Sequence, residues 1–325
     1  MTESVPIPVP LISDITEVPH QPSDPPYWQV ATSENTRKAY KADIRHFIAS
    51  GGLLPATTEG LLRYLNQQAD KLNTRTLKRR LVAIKNWHTH QGFKDPTAHP
   101  IVKKTIRGIA RTHGQPAEKA QILSVEQLTT LVTRLSEISS LIHIRDNALL
   151  QIGFFGAFRR SELVAITWEN ISFVPEGIEI LVPRSKTDAE ATGETCAIPY
   201  GKPPLCPITA LMQWQEASGL TSGPVFRAIR YGRCSTKRAM SSAAVCNILK
   251  RHAIKSQFPN ANQYSGHSLR RGFATAASQH GASLGAIMRQ GRWHHEGTVY
   301  GYIEAGQRFD ANAAASILEQ STSND

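Results

Sequence analysis

The sequence is poor in cysteine and has no long apolar run. Its 325 residues include four cysteines, Cys196, Cys206, Cys234 and Cys246, and no two of them form a CxxC pair. This spacing disfavours a zinc ribbon, and four cysteines in a chain of this length do not make a disulfide scaffold. No apolar stretch approaches the ~18–20 residues that a membrane-spanning helix needs, and the N-terminus lacks the pattern of a secretory signal. These absences predict a cytoplasmic protein with reduced thiols and no membrane partner.

The first part of the chain also lacks basic residues. Residues 1–36 contain five acidic residues and no lysine or arginine, whereas the whole chain has 37 basic and 26 acidic residues and a net charge of +11. The remainder therefore carries +16, from 37 basic against 21 acidic residues. Such a charge favours a polyanionic partner such as nucleic acid, although a merely basic surface would give the same total. Because seven of the nineteen prolines lie in residues 1–27, we predict a disordered acidic tail over 1–30.

Helical periodicity dominates the next eighty residues. Capping residues at Ser33, near 57–58 and near 73–74 precede apolar residues three and four positions apart, and a fourth helix follows a break at 95–96. Four short helices predict a small bundle over 31–113. Basic residues cluster on its third and fourth helices. Two interpretations are open: these residues contact phosphate groups, or they form an ordinary solvated face. The predicted contacts are Lys78, Arg79, Arg80, Lys85, Lys103, Lys104, Arg107 and Arg111.

A second domain follows a linker. Residues 114–122 have the composition of a linker, and Ser124 with Gln127 forms a capping box that opens a domain over 123–325. Alternating apolar residues predict a strand at 177–183, and a shorter strand is predicted at 195–198. Helices are predicted at 124–136, 139–158, 207–218, 239–256, 267–280, 283–290 and 296–304, followed by a small, apolar stretch from Ala311 to Leu318. The predicted fold class is mainly α with a small β-sheet.

Six residues form an ordered set that is more informative than any one of them. Taken singly, each has an ordinary explanation, such as a surface arginine, a solvent-facing lysine or a packed tyrosine. In order, the chain has Arg-Arg-Ser-Glu-Leu, Ser-Lys-Thr, Gly-His-Ser-Leu-Arg, Gly-Arg-Trp, and a tyrosine nine positions after the tryptophan. This order resembles the motifs of the tyrosine recombinase (phage integrase) family. The six residues are Arg159, Lys186, His267, Arg270, Trp293 and Tyr302.

The resemblance implies that Tyr302 is a nucleophile and that Arg159 and Arg270 are catalytic arginines. Guanidinium groups bind phosphodiester oxygens with bidentate geometry and stabilise charge that develops in the transition state. A free tyrosine has a pKa of about 10, so the nucleophile needs a base or a cationic field, and His267 is the candidate base. The other implied roles are a general acid for Lys186, a phosphate-binding indole for Trp293 and a structural acid for Glu162.

Two neighbouring residues compete with this assignment. Tyr300 precedes the chosen tyrosine by two positions, and the interval of nine residues from Trp293 selects Tyr302. His294 could take the position given to Trp293, but the interval would then be eight residues. The pair His294-His295 is interpreted as incidental, because the arginines would replace the electrostatic role of a metal.

The resemblance covers most of the chain and implies more than the site. It implies a helical core-binding (SAM-like) domain and an α+β catalytic domain that form a C-shaped clamp around duplex DNA. Strand exchange would proceed through a 3′-phosphotyrosyl link and a Holliday junction, in a homotetramer on two specific DNA sites, with a C-terminal helix at about 309–319 docking into a neighbouring protomer. No cofactor is expected, and the need for an accessory protein stays open.

The sequence defines the biological setting of the protein less closely than it defines the chemistry. We expect a nucleoid-associated bacterial recombinase of a mobile element, acting in integration or cointegrate resolution. One alternative is relaxation of DNA by the same chemistry, as in a type IB topoisomerase. The other is a non-catalytic DNA-binding protein that keeps the fold.

Overall fold

The structure, a computed structural model, describes residues 32–116, 120–183 and 193–306, together with Ala314. The chain divides into two compact units, over 1–118 and 119–325. The division falls inside the segment that the sequence predicts as a linker.

Three sequence predictions concern residues that lie wholly or mostly outside these described ranges. The predicted acidic tail and Lys186 lie outside the described residues. Of the C-terminal helix predicted at 309–319, only Ala314 is described, in a helical conformation.

In the described part of the first unit, residues 32–116, the chain forms four α-helices and a short 3₁₀-helix. Ser33, Thr57 and Asn73 accept backbone N–H groups with their side chains and so begin the first three α-helices, which confirms the predicted caps. The apolar faces of the helices meet in a core that includes the fully buried Phe47 and Leu65. The elements are α1 (Glu34–Ala49), α2 (Thr58–Gln68), α3 (Thr74–His90), the 3₁₀-helix (Pro96–Ala98) and α4 (Pro100–His113).

Arg80 is predicted to lie on an exposed face, and this prediction is wrong. Its side chain on α3 is buried, because its guanidinium donates to the Asp43 carboxylate on α1 at 3.4 Å and to the Tyr64 hydroxyl at 2.9 Å. The adjacent Arg79 also binds Asp43, through two hydrogen bonds of 2.8 Å, but half of its side chain stays exposed. A buried carboxylate is stable only when it is paired, so Asp43 draws the arginine inward. The other predicted phosphate contacts are exposed: Lys78, Arg79, Lys85, Lys103, Lys104, Arg107 and Arg111.

The second unit is mainly helical, and its described residues include two small antiparallel sheets. In the three-stranded sheet the order is β1-β2-β3, and β2 pairs with β3 from Gly177 opposite Pro199 to Val182 opposite Glu194. The remaining two strands form a hairpin. The elements are α5 (Val125–Ser136), α6 (Leu141–Phe155), α7 (Arg160–Ala165), β1 (Ile171–Val174), β2 (Gly177–Val182), β3 (Glu194–Pro199), α8 (Pro207–Ser218), β4 (Arg227–Arg230), β5 (Arg233–Ala239), α9 (Ser242–Lys255), α10 (Gly266–Gln279), α11 (Leu284–Gly291) and α12 (Glu296–Gly306), with 3₁₀-helices at Trp168–Asn170 and Ala261–Gln263.

This architecture confirms the predicted fold class and differs from the prediction in detail. The capping box of Ser124 and Gln127 is present at the start of α5. The helix predicted at 139–158 already ends at Phe155, and the helix predicted at 239–256 begins only at Ser242, because residue 239 belongs to β5. Strands β1, β4 and β5 were not predicted.

The central helix α6 anchors the core of the second unit. Ten of its residues are buried in sequence from Arg145 to Phe154, so it is enclosed on all sides. Trp214 on α8 is fully buried against it, and its indole N–H donates to the Val225 carbonyl at 2.8 Å. Across the described ranges, no helix combines the length and apolarity required to cross a membrane.

Candidate active site

Arg159 is placed at the start of α7 by the turn that ends α6. Helix α6 closes at Gly156, and Ala157 then takes a positive φ of 45°, so the chain changes direction just before Arg159. The guanidinium of Arg159 donates to Glu162 Oε1 at 2.5 Å, and its backbone N–H donates to Glu162 Oε2 at 3.0 Å. This double contact fixes the side chain and leaves a fifth of it accessible.

Arg270 is brought to the same turn by helix α10. Its side chain is buried; Nη1 donates to the Ala157 carbonyl, and Cζ lies 4.0 Å from the centre of the Trp293 ring. Burial, followed by the nearby Arg159 charge, lowers the pKa of Arg270 to about 9, so the group is still cationic at neutral pH. Its Nη2 atom is buried without a hydrogen-bond partner among the described groups. A buried, unpaired guanidinium donor is costly, and an anionic ligand would satisfy it.

Tyr302 lies on α12 against Trp293. The two ring centres are 5.9 Å apart in an edge-to-face arrangement, and the Tyr302 carbonyl accepts a hydrogen bond of 3.0 Å from Thr275 Oγ1 on α10. The fully buried Val299 holds the same helix in a small apolar cluster with Trp293. By contrast, the Tyr300 side chain is 47% exposed. The packing therefore brings Tyr302, and not its neighbour, beside the tryptophan.

A further arginine faces the tyrosine. Arg271 is buried and its Cζ lies 5.6 Å from the centre of the Tyr302 ring, while Nη1 donates to the Ala120 carbonyl. A cation over a phenol ring favours the accumulation of negative charge on that ring. This residue adds to the positive field that two other arginines already create.

His267 lies in the first turn of α10. The N-cap Ser265 accepts its backbone N–H at 3.2 Å, and its side chain is exposed. Desolvation lowers the pKa of His267, and the charges of Arg270, Arg160, Arg159 and Arg271 lower it further. The imidazole is therefore neutral at pH 7 and has a free lone pair to accept a proton.

Four of the six predicted site residues meet around the turn between α6 and α7, namely Arg159, Arg270, Trp293 and Tyr302. His267 lies one turn before Arg270 on the same helix. Lys186 is outside the described residues, and the predicted contacts of the first unit belong to a separate compact body. In the described part of the chain no cluster of three or more histidine, cysteine or acidic side chains could hold a metal ion.

Two further residues that the sequence reasoning missed connect these groups. Arg292 binds the Glu162 carboxylate at 3.2 Å, and Gln290 Nε2 donates to the carbonyls of Phe155 and Ala197 at 2.9 Å each. Both lie in the Gly-Arg-Trp region that the sequence singled out, but their partners are about 90 to 135 positions away. No local spacing could have identified them.

Comparison with known proteins assigns the family. The profile described as "Phage integrase family" matches residues 121–308, which contain all six predicted site residues. The chain belongs to this family. This phage integrase family member is therefore a site-specific tyrosine recombinase.

Relatives of the recombinase agree over most of its length. It is 36% identical over 290 residues to the "Integrase/recombinase xerD homolog" of Selenomonas ruminantium, covering 86% of this chain and 84% of that protein. It is 25% identical over 307 residues to "Recombinase cre" of Escherichia phage P1, covering 84% of each.

Solved structures share the fold. The XerH site-specific recombinase bound to a palindromic difH substrate matches with a TM-score of 0.64 at 18% identity, covering 88% of this chain and 79% of that one. A lambda integrase(75-356) dimer bound to a COC' core site matches with a TM-score of 0.58 at 14% identity, covering 85% and 92%.

Proposed function

We propose that this recombinase cleaves and rejoins DNA strands through a covalent link between Tyr302 and the 3′ phosphate of the broken strand. The observation that carries the proposal is the meeting of Arg159, Arg270, Trp293 and Tyr302, which lie up to 143 positions apart in sequence, around one turn. A phosphodiester is anionic, and it resists a nucleophile unless cations neutralise its oxygens. This group of side chains supplies those cations beside the phenol.

The chemistry uses the arginines as fixed donors. Arg159 and the unpaired Nη2 of Arg270 would bind the non-bridging oxygens of the scissile phosphate, whose charge increases in the pentacoordinate transition state. Because both guanidiniums are held by other contacts before DNA binds, they need little reorganisation during the reaction.

The bond changes balance without a cofactor. The Tyr302 oxygen forms a bond to phosphorus, the phenolic proton passes to His267, and the bond from phosphorus to the 5′ oxygen breaks. Lys186 donates a proton to that leaving oxygen, which becomes a free hydroxyl. The 5′ hydroxyl of a partner strand then attacks the phosphotyrosine and gives its proton to Lys186, while His267 returns its proton to the tyrosine oxygen as the bond from that oxygen to phosphorus breaks. The covalent link conserves the energy of the broken bond, so no ATP is required.

The assembly extends the proposal beyond one active site. Solved relatives are described as bound to recombination sites or to transposon end DNA. By analogy, we infer duplex DNA with specific sites as the partner, a homotetramer on two sites, and a Holliday junction between the two strand exchanges. The exposed cations of α3 and α4 would contact phosphates of this DNA, and the setting would be a mobile element.

Covalent trapping tests the nucleophile. The purified protein is first incubated with fragmented genomic DNA of its source and quenched with denaturant, and the covalently attached fragments are sequenced to find a target. A nicked duplex of that sequence, which loses a short strand after cleavage, should then accumulate a protein–DNA adduct. Tyr302→Phe should abolish the adduct and retain DNA binding, since only the attacking oxygen is removed.

Tyr300→Phe is the matched control, because it makes the same chemical change two positions away on an exposed side chain. It should form the adduct at the wild-type rate. If the adduct persists in Tyr302→Phe, or is lost only in Tyr300→Phe, the assignment of the nucleophile is wrong.

A further inference from the structure

Arg292 occupies an unusual place for an arginine. It caps the C-terminus of α11 with a left-handed backbone (φ 55°, ψ 50°) and is nevertheless 3% exposed. A residue with a Cβ adopts this conformation only at an energetic cost, and burial of a guanidinium adds to that cost. Glycine would fit the backbone better, so the arginine side chain must contribute something that glycine cannot.

The side chain holds together the turn on which the site is built. Nη2 donates to the Gly156 carbonyl at 3.1 Å and to Glu162 Oε2 at 3.2 Å, and Nη1 donates to the Gln290 carbonyl at 2.8 Å. The guanidinium also stacks on Phe158, with Cζ 4.5 Å from the ring centre. The contacts with Gly156, Phe158 and Glu162 all fall in residues 156–162, the segment that contains Arg159.

Glu162 transmits this contact to Arg159. Its Oε1 accepts from the Arg159 guanidinium, and its Oε2 is shared between the Arg159 backbone N–H and Arg292. Burial alone would raise the pKa of Glu162, but the hydrogen bond from Arg159 and the charge of Arg292 outweigh it, and the pKa is lowered. The carboxylate thus stays ionised between two arginines, of which only Arg159 has an accessible side chain.

We propose that Arg292 is a positioning residue, which acts through Glu162 to hold the Arg159 guanidinium where it meets the scissile phosphate. With Arg292 in place, Oε2 of Glu162 is fixed by two donors, so the carboxylate cannot rotate about its terminal bond and carry Arg159 with it. Without it, Glu162 and Arg159 would still pair but could move together. This inference rests on the proposed function.

Single-turnover cleavage of the nicked substrate tests the role. Arg292→Gly suits the left-handed backbone and removes only the side chain. We expect its cleavage rate constant to fall by about 100-fold, the scale of a misplacement of about 1 Å, with the final adduct yield and the affinity for DNA unchanged. Arg289→Ala, an exposed arginine on the same helix, is the matched control and should cleave at the wild-type rate.

A purely structural role would give a different signature. The adduct yield would then fall with the folded fraction, while the rate constant of the folded molecules stayed at the wild-type value, and that result would overturn the proposal. A second test uses Arg159→Lys as the background. If Arg292 acts through Arg159, adding Arg292→Gly should cost little more, whereas a full additional loss contradicts the relay.

The experiment distinguishes failure of the proposed function from failure of the role given to Arg292. If the wild type itself forms no adduct, the proposed function fails, whereas a wild-type adduct with an unimpaired Arg292→Gly variant overturns this inference alone. If Arg292→Gly does not fold, Glu162→Gln replaces it, because it keeps the shape of the connecting side chain and removes its charge. A similar fall in rate supports the relay, and a wild-type rate contradicts it.

Discussion

At the scale of single residues, the site is an accumulation of buried positive charge with one compensating carboxylate. Arg270, Arg271 and Arg292 are each at most 6% exposed. Among the described residues, Glu162 is the one acid bonded to arginines around the turn, and its partners are Arg159 and Arg292. An excess of buried cations destabilises a protein until an anion binds. The arrangement therefore favours a phosphate ligand.

His267 should control the acid limb of the cleavage rate. Because the pKa of His267 is lowered by desolvation and by the surrounding arginines, the neutral base should persist below pH 6.5, and kcat/KM should fall only at lower pH. A pH profile of cleavage between 5 and 8 would measure this limb.

Two histidine variants test whether His267 is the group that titrates in this acid limb. His267→Asn should be slow and should lose the limb, because no group titrates at that position any longer. His280→Asn, at the other end of the same helix, should keep it. An unchanged limb in His267→Asn would show that another group acts as the base.

The buried Arg80 should matter for stability where Arg79 does not. Arg80→Met leaves Asp43 paired with Arg79, but it removes the buried guanidinium and its hydrogen bonds to Asp43, His46 and the Tyr64 hydroxyl. Because a buried polar group that loses its partner costs about 1–3 kcal/mol, the free energy of unfolding should fall by about 2 kcal/mol. Arg79→Met leaves Asp43 paired with Arg80, and its exposed side chain should cost less than about 1 kcal/mol. Urea denaturation measures both values. Equal effects would mean that the buried hydrogen bonds of Arg80 contribute no more to stability than the half-exposed pair of Arg79 with Asp43.

At the scale of elements, the sequence predicted what local chemistry determines. Helix starts at Ser33, Ser124 and Asn73 follow from side chains that bond backbone groups two or three positions ahead, and the apolar alternation of β2 identified its buried face. Strands β1 and β4 are only four residues long, and β4 begins and ends with a polar residue, an arginine in each case. Such strands exist because a partner strand binds them, which short windows of sequence cannot reveal.

The difference between local and tertiary information also explains which candidate site residues the sequence could predict. The six predicted residues carry a recognisable order along the chain, whereas Arg292 and Gln290 are defined by partners in other elements. Arg80 was placed on the surface because its neighbours in sequence are basic, while the carboxylate that buries it lies 37 positions earlier. Contacts of this kind depend on tertiary packing alone.

Gln290 should keep strand β3 attached to the active-site turn. Its amide group bridges the carbonyls of Phe155 at the end of α6 and Ala197 in β3. Gln290→Ala removes both hydrogen bonds and should cost about 1–2 kcal/mol, with faster amide hydrogen exchange in residues 194–198. Gln213→Ala, an exposed glutamine on α8, should change neither. Unchanged exchange in β3 would show that the strand pairing with β2 is sufficient.

At the scale of the whole molecule, the charge of the chain is divided by position. The first 36 residues carry a net negative charge and the rest is strongly basic, so attraction to DNA resides in the two folded units. In the first unit, α4 presents four exposed cations on one short helix, Lys103, Lys104, Arg107 and Arg111. Lys103, Arg107 and Arg111 are four positions apart, so helical spacing places them along one face.

The salt dependence of DNA binding should report on this helix. Each phosphate contact releases counterions and contributes about 0.9 to the slope of log affinity against log salt concentration. If Lys103, Lys104 and Arg107 each contact a phosphate, the triple change to glutamine should reduce the slope by up to about 2.7 on a duplex of arbitrary sequence, where backbone contacts dominate.

The charge-preserving triple variant, with arginine at 103 and 104 and lysine at 107, should keep the wild-type slope, because counterion release depends on charge and not on side-chain shape. Arg80→Met should also keep it, since a buried guanidinium bound to Asp43 releases no counterions. A glutamine variant with the full slope would place α4 away from the DNA backbone and leave the attraction to the exposed cations of α3 and to the second unit.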